Sequence, residues 1–202
     1  MKSLLTELRD PLKLGAFLWP EVQFYDKQRE IVRSVENNYE TYVPSSNKAG
    51  KDFVGGFVGA TWFLRHWPCR GIITSVKDEH TDVLWGELLR FIRTAKYPLE
   101  SKDGGPLVVY DREIRRMVKG KVCEISYLKR QCWDQQEGGA GHHSPYSILI
   151  GDEASALDDS VRVQGQGWAK RMLWIFNCNP TENFVRKAVE GGDIINERRI
   201  VA

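Results

Sequence analysis

The spacing of apolar positions changes period along this chain, and each change marks an element. Ile31, Val32 and Val35 fall at helical spacing within residues 28–35, behind an aromatic entry, Phe24-Tyr25-Asp26-Lys27-Gln28, which predicts a helix entered from a loop. Residues 41–44 form a short β-type run, 45–51 a polar turn, and 52–64 an apolar, glycine-containing helix. A second strand and helix follow, a buried strand over 71–76 and a helix over 81–94 carrying Val83, Leu84, Leu88, Leu89, Phe91 and Ile92.

The middle of the chain changes character. Residues 107–110, 114–118 and 122–127 are short β-type runs punctuated by Gly104-Gly105-Pro106 and Lys119-Gly120-Lys121, which predicts an antiparallel insertion or sheet edge around 105–128. Beyond a glycine-rich loop at 137–141, the apolar strand 146–150 stops abruptly at Gly151-Asp152-Glu153. A further strand, 172–176, stops at Asn177-Cys178-Asn179-Pro180. Strands whose polar residues gather at their C-terminal ends imply an α/β fold: a mostly parallel, helix-flanked sheet with its site along that edge. Residues 194–201 fit a last strand.

Composition bounds this picture without naming a partner. A length of 202 residues with 42% hydrophobic content supports one core, so a single domain over 1–202 is expected. The formal charge of +2 lacks the overall basicity that would announce a nucleic-acid binder. Charge is uneven, however, with Arg112, Arg115, Arg116, Lys119, Lys121, Lys129 and Arg130 set against Asp111, Glu113 and Glu124. That stretch is either a patch facing phosphate or a solvated strand pair. Cys69, Cys123, Cys132 and Cys178 have neither zinc-ligand nor disulfide-framework spacing, and no signal pattern or bilayer-length apolar run is present, so a soluble intracellular protein is expected. His142-His143 lacks partners at metal spacing, and the tryptophans lie mostly in apolar runs.

The chemistry gathers in four places. Ser45-Ser46-Asn47-Lys48-Ala49-Gly50-Lys51-Asp52 partly meets the phosphate-loop pattern: Gly50-Lys51 match, and the loop lies between a predicted strand and helix, where backbone N–H groups can hold polyphosphate while Lys51 reaches the outer phosphates. Asp52 stands where a Ser or Thr hydroxyl usually ligates Mg²⁺. It either binds the ion directly or through water, or weakens the site by repelling phosphate. The strand end Ser147-Ile148-Leu149-Ile150-Gly151-Asp152-Glu153 delivers adjacent carboxylates, Asp152 suited to Mg²⁺ and Glu153 to polarising an attacking water. Asn179 is placed to hydrogen-bond a γ-phosphate, although Asn-Pro also starts turns. In Phe24-Tyr25-x-x-Gln28, an aromatic and an amide have the chemistry to read adenine, or serve helix-entry packing.

Taken in order, Tyr25/Gln28, the modified phosphate loop at 45–52, Ile150-Gly151-Asp152-Glu153-Ala154-Ser155 and Asn179-Pro180 resemble the ATPase domain of tailed-phage terminase large subunits. The resemblance spans nearly the whole chain and is most specific over 146–183. It implies an ASCE-type P-loop NTPase fold, with residues up to about 40 forming an adenine-binding segment. It also implies ATP as substrate, Mg²⁺ as cofactor, Lys51 and Asp152 serving phosphate and metal, Glu153 activating water, Asn179 coupling, and Tyr25 with Gln28 reading adenine. Double-stranded DNA gripped by its backbone, a portal protein, a small terminase subunit, a ring of copies and the host cytoplasm follow as expectations. Two departures stand out: Asp52 itself, and a loop without the arginine many relatives carry, for which Lys48, a neighbouring subunit, or Arg112, Arg115, Arg116, Lys129 or Arg130 is the available source. No clustered acidic ligands of an RNase H-like nuclease are assignable before Ala202, so DNA cleavage is not expected, whether the chain is an excised motor domain or a truncated product. A helicase-like ATPase and a catalytically silent nucleotide-binding module are the competing readings.

Overall fold

The computed structural model describes residues 6–45, 50–132, 141–177, 182–190 and 197–199. Its elements in chain order are α1 (Pro11–Leu18), α2 (Asp26–Asn37), β1 (Glu40–Pro44), α3 (Lys51–Arg65), β2 (Cys69–Thr74), α4 (Asp78–Thr94), β3 (Leu107–Val109), β4 (Glu113–Val118), β5 (Lys121–Arg130), β6 (Tyr146–Gly151), α5 (Asp159–Gln166), β7 (Arg171–Phe176), α6 (Phe184–Glu190) and β8 (Glu197–Arg199). Strand β8 falls within the predicted 194–201. Helices α1, α5 and α6 have no counterpart in the apolar periodicity.

The strands form one sheet in the order β3-β4-β5-β2-β6-β7-β1-β8. Pairing is parallel from β5 through to β8 and antiparallel only at β3-β4 and β4-β5, so the β-rich middle segment extends the sheet past β2 as an antiparallel edge. Strands β1, β7 and β6, which end in the polar motifs, are therefore lateral neighbours in the interior of the sheet, with β2 next in line.

Side chains alternate across these strands, and both faces are covered. On one face Ile73, Ile150, Leu173 and Ile175 meet α1 to α4 through Leu14, Trp19, Ile31, Val54, Phe57, Leu88 and Phe91. The ring of Phe57 stands 4.5 Å from that of Phe24, and the Trp19 indole N–H donates to the carbonyl of Phe91 at 2.7 Å. Burial of such an aromatic contributes about 3–5 kcal/mol, judged by truncation to Ala. Helices α3 and α4 approach closely enough that a Cβ on Gly56 would sit 2.7 Å from the backbone nitrogen of Leu88. On the other face Tyr42, Ile72, Leu149 and Trp174 meet Leu157, Val161, Trp168 and Phe184.

The uneven basic stretch is neutralised mostly by its own neighbours. In the register of β4 with β5, Glu113 stands opposite Lys129, and it is paired with Lys129 at 3.3 Å and Arg115 at 2.7 Å. Arg112 pairs with Asp78, and Arg130 with Asp82 and, at 3.6 Å, Asp111. Arg116 is turned inward. It donates to the backbone carbonyls of Phe63 and His66 and lies 4.9 Å from the Phe63 ring centre, with burial holding its pKa below the usual arginine value. It is a strut beneath the hairpin, which removes it from the candidate phosphate-facing cations.

Candidate nucleotide site

The C-terminal edge of the parallel sheet is where the sequence motifs converge. Ser45, buried at the end of β1, continues the ladder by donating its N–H to the Phe176 carbonyl at 2.9 Å. Residues Ser46, Asn47, Lys48 and Ala49 of the predicted phosphate loop lie outside the described residues. The chain re-enters at Gly50, left-handed at φ 73°, and Lys51 begins α3. Gly50 suits this position because a residue with a Cβ pays for φ > 0.

Lys51 is only 8% exposed and is directed at the end of β6. Its ammonium stands 2.8 Å from a Glu153 carboxylate oxygen and 3.9 Å from Asp152 Oδ1. Asp152 is held by its N–H bond to the Thr74 carbonyl of β2 at 2.9 Å, and its carboxylate accepts the Glu153 N–H at 2.8 Å. Strand β6 terminates because Glu153 turns left-handed, φ 48°, ψ 41°, an uncommon conformation for a residue with a side chain.

Negative charge exceeds positive here. Burial, and then the Asp52 carboxylate, push the Asp152 carboxyl up to about 7, against the opposing pull of Lys51. The Asp52 carboxyl is also raised, first by burial, with Glu153 and Glu87 adding to it and Lys51 opposing. Among the described residues no three His, Cys, Asp or Glu side chains form a metal cage. Asp52 and Asp152 are hard oxygen donors close enough for the Asp52 charge to act on Asp152, which is the kind of donor set an ion such as Mg²⁺ takes, with water and phosphate oxygens completing its shell.

Asn177, at the end of β7, is the residue that sequence reasoning passed over in favour of Asn179, which lies outside the described residues. The Asn177 amide donates toward both Glu153 oxygens at 3.3 Å, while its own Oδ1 is buried without a partner among the described residues. At the adjoining end of β2, the hydroxyls of Thr74 and Ser75 are likewise buried and, among the described residues, unpartnered. The only advance signal was position: small polar residues where an apolar strand stops.

Gln28, on the first turn of α2, is 6% exposed and accepts the Tyr25 N–H at 3.4 Å. Its amide reaches the phosphate-loop exit, so a Cβ on Gly50 would stand 2.9 Å from Gln28 Nε2. Tyr25 is 48% exposed beside it, whereas Phe24 carries the core packing. His142 is engaged in packing, with its Nδ1 2.7 Å from the Tyr127 hydroxyl and its ring 5.1 Å from that of Trp168.

No protein-family model and no curated protein matches the sequence. Solved structures do match. The chain is similar to the large terminase ATPase domain of Thermus phage P74-26, with a TM-score of 0.71 at 14% identity over 94% of this chain and 84% of that one. It is also similar to the large terminase of a second, thermophilic bacteriophage, with a TM-score of 0.62 at 18% identity over 89% of this chain and 46% of that one. A structure of that second large terminase in complex with ATP-gamma-S matches with a TM-score of 0.55 at 18% identity over 89% of this chain and 44% of that one. The fold is similar to that of a large terminase ATPase domain, an α/β architecture with a mostly parallel sheet flanked by helices. Among the described residues no helix is long and apolar enough to cross a membrane.

Proposed function

We propose that this chain is an ATP-hydrolysing motor of the terminase large subunit type, with its site at the C-terminal ends of β1, β6 and β7. The observation that carries this reading is the meeting of Lys51, Asp152, Glu153 and Asn177 at one sheet edge, on a fold shared with terminase ATPase domains.

The ammonium of Lys51 leaves Glu153 for the β- and γ-phosphates when nucleotide enters, since a phosphate oxygen offers it the stronger charge. That exchange frees Glu153 to accept a proton from water as the water oxygen bonds to the γ-phosphorus and the bond to the β–γ bridging oxygen breaks. Asn177 keeps the carboxylate aimed while Lys51 departs. Asp152, joined by Asp52, would hold Mg²⁺, which supplies charge neutralisation on the phosphates when bound. Gln28 and Tyr25 flank the loop exit and provide the amide and ring for adenine. Asn179 and residues 46–49 complete the phosphate contacts. The work of the cycle is movement of double-stranded DNA held by its backbone, in a ring of copies at a capsid portal, with a small terminase subunit as partner.

The test is steady-state ATP hydrolysis with Mg²⁺, with and without double-stranded DNA, for this chain, Glu153→Ala and Lys51→Ala. Turnover lost in both variants supports the motor. The crowding of Asp52, Asp152 and Glu153 about Lys51 favours one other reading, a module that binds nucleotide without turning it over, and ATP binding with turnover no higher than in Glu153→Ala would establish it. Strand separation driven by turnover would instead make the chain a helicase-like ATPase.

A further inference from the structure

Two buried hydroxyls at the sheet edge, those of Thr74 and Ser75, have no role in the chemistry above, and alternation along the strand sends them to opposite faces. Ser75 is fully buried, and among the described residues its hydroxyl has no partner. Burying a hydroxyl without a hydrogen bond costs roughly 1–3 kcal/mol, so an orphan set beside a buried carboxylate is suited to a partner brought by a ligand or its water. Its direction follows from alternation along the strands. Ile73 and Ile150 both face α3, since a Cβ on Gly59 of that helix would stand 3.8 Å and 3.5 Å from their terminal methyl carbons. Two residues further along each strand come Ser75 and Asp152, on the same face. The register ends with Thr74 opposite Gly151, a pair closed by the bond from the Asp152 N–H to the Thr74 carbonyl, and Ser75 and Asp152 are the next residue past each strand end. Ser75 is thereby the lateral neighbour of Asp152, about one strand spacing of ~4.8 Å away. Strands β7 and β1, which lead to Asn177 and the phosphate loop, lie on the other side of β6. Ser75 is thus set on the flank of Asp152 away from Asn177 and the phosphate loop.

We infer that Ser75 is a positioning residue for the cation held at Asp152, its hydroxyl bonding a water of the Mg²⁺ hydration shell so that the ion binds with its water in place. The inference rests on the assignment of Asp152 to the metal in the proposed function. A hydroxyl one strand away cannot reach the ion's inner shell without pulling β2 and β6 together, but one intervening water spans such a gap. Mg²⁺ gives up its waters reluctantly, which makes an outer-shell partner more consequential for it than for a larger, more readily dehydrated divalent ion.

The test compares the full chain with S75A, S75C and S75T, titrating Mg²⁺ and then Mn²⁺ at saturating ATP. Removing an outer-shell partner of a metal ligand costs roughly 10–100-fold in metal affinity, so S75A and S75C should raise the half-saturating Mg²⁺ concentration about 10-fold. Turnover at saturating Mg²⁺ should persist, the Mn²⁺ requirement should move less, and S75T should restore the Mg²⁺ requirement. A purely structural serine predicts none of this pattern, because deleting an orphaned hydroxyl is neutral or stabilising to the fold. An unchanged Mg²⁺ requirement in S75A and S75C overturns the inference, as does equal damage with both metals or failure of S75T to restore. Should S75A fold poorly by circular dichroism, the nearly isosteric S75C carries the reading. The same titration is repeated on ATP-gamma-S binding by thermal shift. If the wild type binds Mg²⁺ with nucleotide but does not turn ATP over, the motor assignment fails while the Ser75 comparison is still read.

Discussion

Two buried carboxylates at opposite ends of the same parallel sheet are treated in opposite ways. Glu40, at the N-terminal end of β1, is fully buried, and protein groups meet it on every side: Arg162 at 3.0 Å, Gln166 at 3.2 Å and the Tyr42 hydroxyl. Asp152, at the C-terminal end of β6, is 3% exposed and shares Lys51 with Glu153, while Ser75 Oγ and Asn177 Oδ1 at the same sheet edge have no partner among the described residues. Both sites meet the cost of burying charge, which is several kcal/mol per ion even after relaxation. The Glu40 end is closed by protein alone. The Asp152 end is not closed in that way, and the metal-bound nucleotide of the proposed function would bring a cation for the carboxylates and an anion for Lys51.

Changes that attack one end and spare the other break or sharpen that contrast. The largest effect belongs to Glu153→Gln, which keeps the shape of the side chain but removes the base. Turnover should fall about 10²–10⁴-fold with nucleotide binding and the urea midpoint close to wild type, measured by hydrolysis and denaturation side by side. Arg162→Met should do the reverse, costing about 3–5 kcal/mol of stability by leaving Glu40 buried without its cation, with nucleotide affinity in the surviving folded protein unmoved. If that variant unfolds no more readily than wild type, the closed end is not held by its ion pair.

Asp152→Asn should stabilise the ligand-free protein by on the order of 1–3 kcal/mol at pH 8, because it removes a charge that burial disfavours, and should abolish the stabilisation given by Mg²⁺ with ATP-gamma-S. The pH dependence has a definite sign. A carboxyl raised from 3.8 to about 7 in the fold binds a proton more tightly there than in the unfolded chain. Its contribution to stability is therefore full below pH 3.8 and lost as pH rises to about 7. Melting temperature without ligand should fall over that window, more steeply in wild type than in Asp152→Asn. The smallest effect expected is Gly50→Ala, about 1–2 kcal/mol, from a methyl group at φ 73° pressed toward the Gln28 amide. A melt that does not shift would mean the loop exit relaxes freely.

The sheet's strands and three of its helices were legible because their apolar periods are long and their ends are marked by polar residues. The placement of Lys51, Asp152 and Glu153 at one sheet edge was legible for the same reason: each sits where a strand or helix boundary must fall. Helix α1 was missed because its eight residues include Gly15 and are apolar on more than one face, although Asp10 before Pro11 is a sound start signal and does accept the Leu12 and Lys13 N–H groups. The pairing of Glu113 with Lys129 depends on the β4-β5 register, which no one-dimensional reading of charge supplies, whereas Arg115 lies two residues along the same strand. Asn177 and Ser75 needed more still. Their importance follows from which strands flank β6, and strand order is a property of the assembled sheet.

The left-handed turn at Glu153 bears on how this position responds to selection. Glycine or asparagine would adopt that backbone more comfortably, so a library screened for thermal resistance alone should drift toward them at residue 153 and discard the carboxylate. Retention of glutamate under a screen for turnover, and its loss under a screen for heat, would mark residue 153 as one whose identity is set by chemistry against the preference of its own backbone.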